Sequence, residues 1–209
     1  MSEIIKNYHN NGMLKEIYEV DNQGRKNGLY NSFTKNGQLW IKSNYKDDKL
    51  DGKYLKYYEN GKLAEKSNYL NGKLHGKYLI YHDGGYQLRE ESNYKDGKKH
   101  GKCLTYYENG QLAGEENYKD GELHGKCLIY YDVDYQLREE ANYADGNKHG
   151  KCLTYYENGQ LEEEANYVNV EEVKITNKRK EEAFNKQKDL KRRERVQEIL
   201  RERANQKTL

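Results

Sequence analysis

The chain has 209 residues, a net charge of only +2, a mean hydropathy of −1.33 and 34% charged residues, a composition that borders on the disordered class. It lacks the Leu, Ile, Val and Phe that would fill a compact core, and its 22 tyrosines against two phenylalanines and one tryptophan point to half-exposed ring packing in a thin, elongated fold. No apolar run is long enough to span a membrane, and three cysteines, an odd number, argue against a disulfide framework.

The opening residues, MSEIIKNYHNNG, lack the apolar run of a signal peptide, so a cytoplasmic location is expected. A partial repeat unit from Tyr8 to Asn27 is followed by six units beginning at Gly28, Gly52, Gly76, Gly101, Gly125 and Gly150. Their spacings of 24, 24, 25, 24 and 25 residues are a solenoid-type period. The units at Gly76 and Gly125 share 18 of 25 positions, so the last four units read as a duplicated pair.

Each unit reads as two strands and two tight turns. In the unit at Gly101, GKCLTYY and QLAGEENY are short, Tyr-rich and near-alternating, with Asn109-Gly110 between them and Asp120-Gly121 after them. Both dipeptides predict two-residue type I′ hairpin turns, and the His-Gly words read as further corners of an antiparallel meander. The 25-residue units place their extra residue at the first turn, in HDGGYQL and YDVDYQL, where a three-residue loop with a bulge would absorb it. Proline is absent, as expected where nearly every strand has a hydrogen-bonding neighbour on both sides.

A two-residue turn at Asn60-Gly61 predicts that Tyr58 faces Leu63, Lys56 faces Glu65 and Tyr54 faces Ser67 on one side of the sheet. Tyr57 with Ala64, Leu55 with Lys66 and Lys53 with Asn68 then fall on the other. Stacked units turn these positions into ladders of like residues. Asn-Tyr closes the second strand of every unit, at Tyr45, Tyr69, Tyr94, Tyr118, Tyr143 and Tyr167. The fold class expected is all-β: an elongated, twisted, single-layer antiparallel sheet of stacked β-hairpins over residues 1–170, held by nearest-neighbour packing.

The stretch YYENGQLAGEENYKDGELHGK resembles the MORN (membrane occupation and recognition nexus) repeat, and most closely the bacterial variant of YwqK-type antitoxins with its YY-NG-L…Y-G--HG skeleton. The resemblance spans about residues 8–170. It implies β-hairpin repeats in an open sheet and a protein-binding role, typically as the antitoxin of a toxin–antitoxin pair. Eukaryotic MORN units carry Gly-x-Gly after the His, whereas Gly125-Lys126-Cys127 here puts Cys in the second Gly's place, which sets the chain apart from the membrane-associated members.

Residue types with chemical potential recur one per unit. Cys103, Cys127 and Cys152 hold the position of Tyr54 and Tyr78, and neighbouring units lie roughly 9–10 Å apart, beyond disulfide reach. They read as apolar fillers of a ladder. His75, His100, His124 and His149 share the same separation, too wide for a common metal ion, and read as caps of hairpin corners. Glu91, Glu115, Glu140 and Glu164 form a row on one side of the second strand, to be read either as a solvated face with Lys102 and Lys126 nearby or as an acidic surface for a basic partner. No phosphate loop, nucleophile elbow or zinc spacing is present in the sequence, so no enzyme, cofactor or metal is expected.

Residues 171–209 have no Gly or Tyr and carry a net +5, against −3 for residues 1–170. Good helix formers and the i,i+4 pairs Asp189–Arg193 and Glu182–Lys186 predict a charged C-terminal α-helix. It could cap the open edge of the last hairpin, bind a partner or mediate self-association, or contact nucleic acid or anionic lipid. The functional expectation is a non-catalytic, protein-binding repeat protein, an antitoxin or immunity component that occludes a cognate toxin. The contact surface expected is Tyr57, Tyr81, Tyr106, Tyr130 and Tyr155 with the four-glutamate row. The alternative is a structural scaffold, or a membrane- or nucleic-acid-associated adaptor that uses the basic C-terminal helix.

Overall fold

The computed structural model describes residues 2–168 and a short strand at Glu171–Val173. Among the described residues, nineteen strands form one antiparallel sheet, and no helix occurs. The C-terminal helix expected over residues 171–209 lies outside the described residues, except that Glu171–Val173 pairs antiparallel with Leu161–Val168.

The meander follows the repeat. Lys49–Tyr57 pairs with Leu63–Leu70, which pairs in turn with Lys73–Leu74 and Gly76–Tyr81 of the next unit. The interior register is the one alternation demands: Tyr54 opposes Ser67, Lys56 opposes Glu65, Leu55 opposes Lys66 and Lys53 opposes Asn68. The second turn of the unit is a two-residue type I′ corner. Lys119 opposes Glu122, and Asp120 and Gly121 between them both take positive φ, 53° and 96°.

The first turn differs from the two-residue corner read from Asn60-Gly61. Gly61 N donates to the Tyr58 carbonyl at 2.9 Å and Tyr58 N to the Lys62 carbonyl at 2.8 Å, so Glu59, Asn60 and Gly61 form a three-residue loop. Only Gly61 of the three lies in the left-handed region, at φ 78°. Asn60 Oδ1 accepts from Lys62 N at 2.9 Å, and this local Asx bond favours a type I turn followed by a left-handed glycine over type I′. A bulge then places Leu63 opposite Tyr57, instead of Ala64, and carries Tyr58 into the turn. In the 25-residue units His82 N donates to the Gln87 carbonyl at 3.0 Å and Tyr131 N to the Gln136 carbonyl at 2.9 Å. Their first turns therefore hold four residues, again one more than predicted.

The His-Gly words are not corners either. His75 N donates to the Asn68 carbonyl at 2.9 Å, and Gly76, at φ 80°, opens a strand opposite Tyr94. A left-handed residue within a paired strand makes a bulge, a conformation that glycine adopts without a Cβ clash. His75, His100, His124 and His149 consequently sit between a two-residue strand and the longer strand that the glycine opens, beside that bulge.

Packing is concentrated on one face. Its deepest residues are small: Ser43, Ser67, Ser92, Cys103 and Ala141 are each at most 2% exposed. Tyrosine rings cover them, with Tyr54 against Tyr69 at 5.6 Å and Tyr78 against Tyr94 at 5.2 Å, both edge-to-face. From the unit at Gly101 onward, Cys103, Cys127 and Cys152 replace the first of these rings and oppose Glu116, Ala141 and Ala165. All three cysteines are free and buried, as the filler reading expects.

Candidate functional site

Alternation along the strands puts the four-glutamate row on the face away from the buried serines and cysteines. There each carboxylate meets a lysine of its own hairpin: Lys77–Glu91 at 2.6 Å, Lys102–Glu115 at 2.6 Å, Lys126–Glu140 at 2.9 Å and Lys151–Glu164 at 3.3 Å. In the hairpin at Gly101, Lys102 opposes Asn117 while Leu104 opposes Glu115, so the charges lie diagonally across the strand pair. The row is a line of ion pairs, not a bare acidic stripe.

Tyr81, Tyr106, Tyr130 and Tyr155 end the first strands of their units, opposite Leu88, Leu112, Leu137 and Leu161, and Tyr57 holds the same place opposite Leu63. Their parity puts them on the ion-paired face. Burial pushes the Tyr106 phenol above its usual range, the Glu91 carboxylate of the preceding unit adds to this, and Lys77 opposes it. The nine predicted residues thus share one face, repeated in register along the sheet.

The opposite face carries what the sequence reading missed. Among the described residues, the second aromatic of a YY or YH pair reaches across to the next unit in five places. Tyr58 Oη donates to the Tyr81 carbonyl at 2.6 Å, Tyr107 Oη to the Tyr130 carbonyl at 2.6 Å and Tyr131 Oη to the Tyr155 carbonyl at 2.8 Å. His82 Nε2 does the same to the Tyr106 carbonyl at 3.0 Å, and His9 Nε2 to the Phe33 carbonyl at 2.9 Å. The signal for this column was present as the second residue of each YY or YH pair. The acceptors were not legible, because they depend on the extra loop residue and the bulge.

A cleft of about 640 Å³ opens on this face near the first units, between Phe33, Thr34 and Trp40 on one side and Lys56, Tyr57 and Tyr58 on the other. Trp40 is 45% exposed, with Lys56 Nζ 6.0 Å from its ring centre. Further along, Lys99 Nζ lies 2.7 Å from Glu90 Oε1 and 3.6 Å from Cys103 Sγ. Burial would raise the Glu90 carboxyl, but the Lys99 ammonium and the Ser92 hydroxyl outweigh it and hold the group below the usual carboxylate range. Burial pushes the Cys103 and Cys127 thiols up to about 11, so both are protonated at neutral pH and are poor nucleophiles.

The histidines meet the aspartate of the following turn, His100 Nδ1 at 3.6 Å from Asp120 and His124 Nδ1 at 3.5 Å from Asp145. Among the described residues no group of three or more His, Cys, Asp or Glu is placed to hold a metal ion.

No curated protein matches the chain. Among solved structures, an alternansucrase in complex with isomaltononaose aligns with 81% of this chain at 14% identity and a TM-score of 0.21. The alignment takes in only 16% of that protein's length, and at such a TM-score neither its fold nor its carbohydrate chemistry carries over. A family match falls on the hairpins themselves. The two units with four-residue first turns lie between the matched segments, while the full units at Gly28, Gly52, Gly101 and Gly150, with three-residue turns, are matched. The MORN repeat variant thus matches the chain in four places, at residues 26–47, 50–71, 99–120 and 148–169.

Proposed function

We propose that the protein is a non-catalytic binding module whose repeat sheet presents an extended surface to another protein, in the cytoplasm. MORN repeats are typically modules of this kind. The observation that carries the reading is the face on which Tyr81, Tyr106 and Tyr130 recur in register with the Lys–Glu pairs. Tyrosine brings a large, stiff contact area at low entropic cost, and ion pairs that can exchange partners favour specificity over raw affinity. The finer reading is an antitoxin or immunity component that neutralises a cognate toxin by stoichiometric occlusion, and the resemblance of YYENGQLAGEENYKDGELHGK to YwqK-type repeats supports it.

A basic partner would draw the carboxylates away from their lysines. Reversing Glu115 and Glu140 together to Lys leaves Lys102 and Lys126 facing like charge and weakens such a complex. Purification of the tagged full-length protein from its native cells, washed at low and then high salt, tests the reading. One stoichiometric protein that survives high salt and is lost from the double variant supports it. Retention by the double variant would remove this face from consideration.

The net charge of +5 on residues 171–209 favours a second reading, in which the repeats space components and the basic segment contacts nucleic acid or anionic lipid. That reading predicts recovery of nucleic acid or lipid alone, released as salt rises.

A further inference from the structure

The column of aromatic donors is interrupted once. His9, Tyr58, His82, Tyr107 and Tyr131 each span the gap to the next unit and donate to the carbonyl of its strand-end residue. Between His9 and Tyr58 in this column stands Thr34, as the shared turn bonding shows: Thr34 N donates to the Gln38 carbonyl as Tyr58 N does to that of Lys62. The Thr34 side chain is too short to cross the gap, and its Oγ1 instead accepts from Gln38 N at 3.2 Å. The carbonyl in register with those of Tyr81 and Tyr106 is that of Tyr57. Pairing between the two units stops at Ile41 opposite Lys56, and no side chain among the described residues donates to Tyr57 O. The cleft of about 640 Å³ lies at this interruption, lined by Thr34, Trp40, Tyr57 and Tyr58.

We propose that the cleft at Thr34 is a docking pocket for one aromatic hydrogen-bond donor, a tyrosyl side chain carried by the protein partner. The proposal rests on the protein-binding reading. The chain itself shows the fit: in neighbouring units a phenol ring spans this gap and its hydroxyl meets a carbonyl at 2.6–2.8 Å. A ring entering from outside meets the same backbone acceptor, with Trp40 and Tyr58 as walls. Offset or edge-to-face ring contacts and the hydrogen bond together favour a phenol over a purely apolar group.

Trp40 is the only tryptophan of the chain, so its indole N–H signal and emission report on the cleft alone. The probe is 4-methylphenol, the tyrosine side chain without its backbone, titrated into the full-length protein with toluene as the matched compound lacking the hydroxyl. The expected result is a saturable shift of the Trp40 signal by 4-methylphenol, with toluene about 2- to 10-fold weaker. Thr34→Tyr, which supplies the missing ring, is expected to fold with a raised Tm and to abolish the 4-methylphenol response. Absence of a saturable shift, or equal binding of toluene, overturns the proposal on the wild-type protein without recourse to any variant. An unchanged response in a folded Thr34→Tyr protein overturns it as well. A tyrosine-dependent self-association lost in Thr34→Tyr would assign the pocket to a second copy of the chain and overturn the partner assignment. Failure to recover any partner from cells sinks the protein-binding reading while leaving the 4-methylphenol result to stand or fall separately.

Discussion

The Tyr107 hydroxyl donates to the Tyr130 carbonyl at 2.6 Å and so ties the first turn of one unit to the strand end of the next. The ladder alone would leave that junction open. At this end of the strands the ladder between these units stops at Gly114 opposite Ile129 and Glu115 opposite Leu128, so the carbonyl one residue further on depends on the tyrosine. In a fold where each unit contacts only its neighbours, such staples bear directly on the interface terms that set stability.

Tyr107→Phe and Tyr131→Phe keep the rings and remove only the donors. Each is expected to lower unfolding stability by about 0.5–1.5 kcal/mol in urea titrations. Tyr156→Phe, in the last described unit and with its ring half exposed, is the control and should leave the midpoint where it was. A loss in the control equal to that in Tyr107→Phe would show that the hydroxyl bond to the next unit is not what stabilises.

The buried thiols give a second test. Cys103 is 1% exposed, and Cys103 and Cys127 hold their protons to about pH 11, against about 9 for a free thiol. Because the folded pKa is raised, the associated stability is fully present below about pH 9 and is lost as pH rises towards 11. Thermal unfolding followed from pH 8 upward should show Tm falling across that window. Replacing both cysteines with Ala should lessen the fall by their share, the rest coming from tyrosines such as Tyr54 and Tyr78 whose phenols burial also raises, and disulfide-exchange reagents at neutral pH should label the wild type only once denaturant is added.

At the acid end the sign reverses. The Glu90 carboxyl is held below its usual range by Lys99 and Ser92 against the opposing effect of burial. A depressed folded pKa contributes stability above the unfolded value that disappears as pH falls through the folded one. Glu90→Gln should therefore be less stable than wild type at pH 7 and converge with it below the ordinary carboxylate range. Lys99→Met, which strands the partly buried carboxylate, should cost about 1.5–3 kcal/mol at neutral pH and less in acid. Curves that stay parallel from neutral to acid pH would assign the effect to packing instead.

The two turns of a unit should respond differently to a β-branched residue. Asp120 sits at φ 53°, so Asp120→Val forces valine into the left-handed region and should cost about 1–2 kcal/mol. Glu108, in the three-residue turn, has negative φ, and Glu108→Val should be nearly neutral. Equal losses in urea unfolding would contradict the assignment of two turn types.

Much of the fold was legible because it is local and repeated. The period of the Gly-Lys words located the hairpins, Asp120-Gly121 encoded a corner whose geometry depends on two adjacent residues, and strict alternation put Glu115 within reach of Lys102. The first turn was misread because Asn60 can serve either a two-residue or a three-residue corner. Its own Oδ1 bond to Lys62 N favours the longer one, a competition that the dipeptide does not reveal. His75-Gly76 was misread for a similar reason: a left-handed glycine makes a mid-strand bulge as readily as a corner, and the pairing partner decides which.

The amino-acid sequence by itself thus determined the repeat, the strands, the Asp-Gly type I′ corners and the nearness of Lys102 and Lys126 to the glutamate row. These follow from alternation and turn chemistry within about twenty-five residues. Only the tertiary structure decided what one unit does to the next. A single extra loop residue and its bulge shift the strand ends, and that shift brings Tyr58 Oη to the Tyr81 carbonyl, whereas the equivalent position one unit earlier holds Thr34, whose hydroxyl turns to Gln38 N. The contact joins residues 23 positions apart, so its geometry accumulates every turn and bulge between them and cannot be read from any one segment.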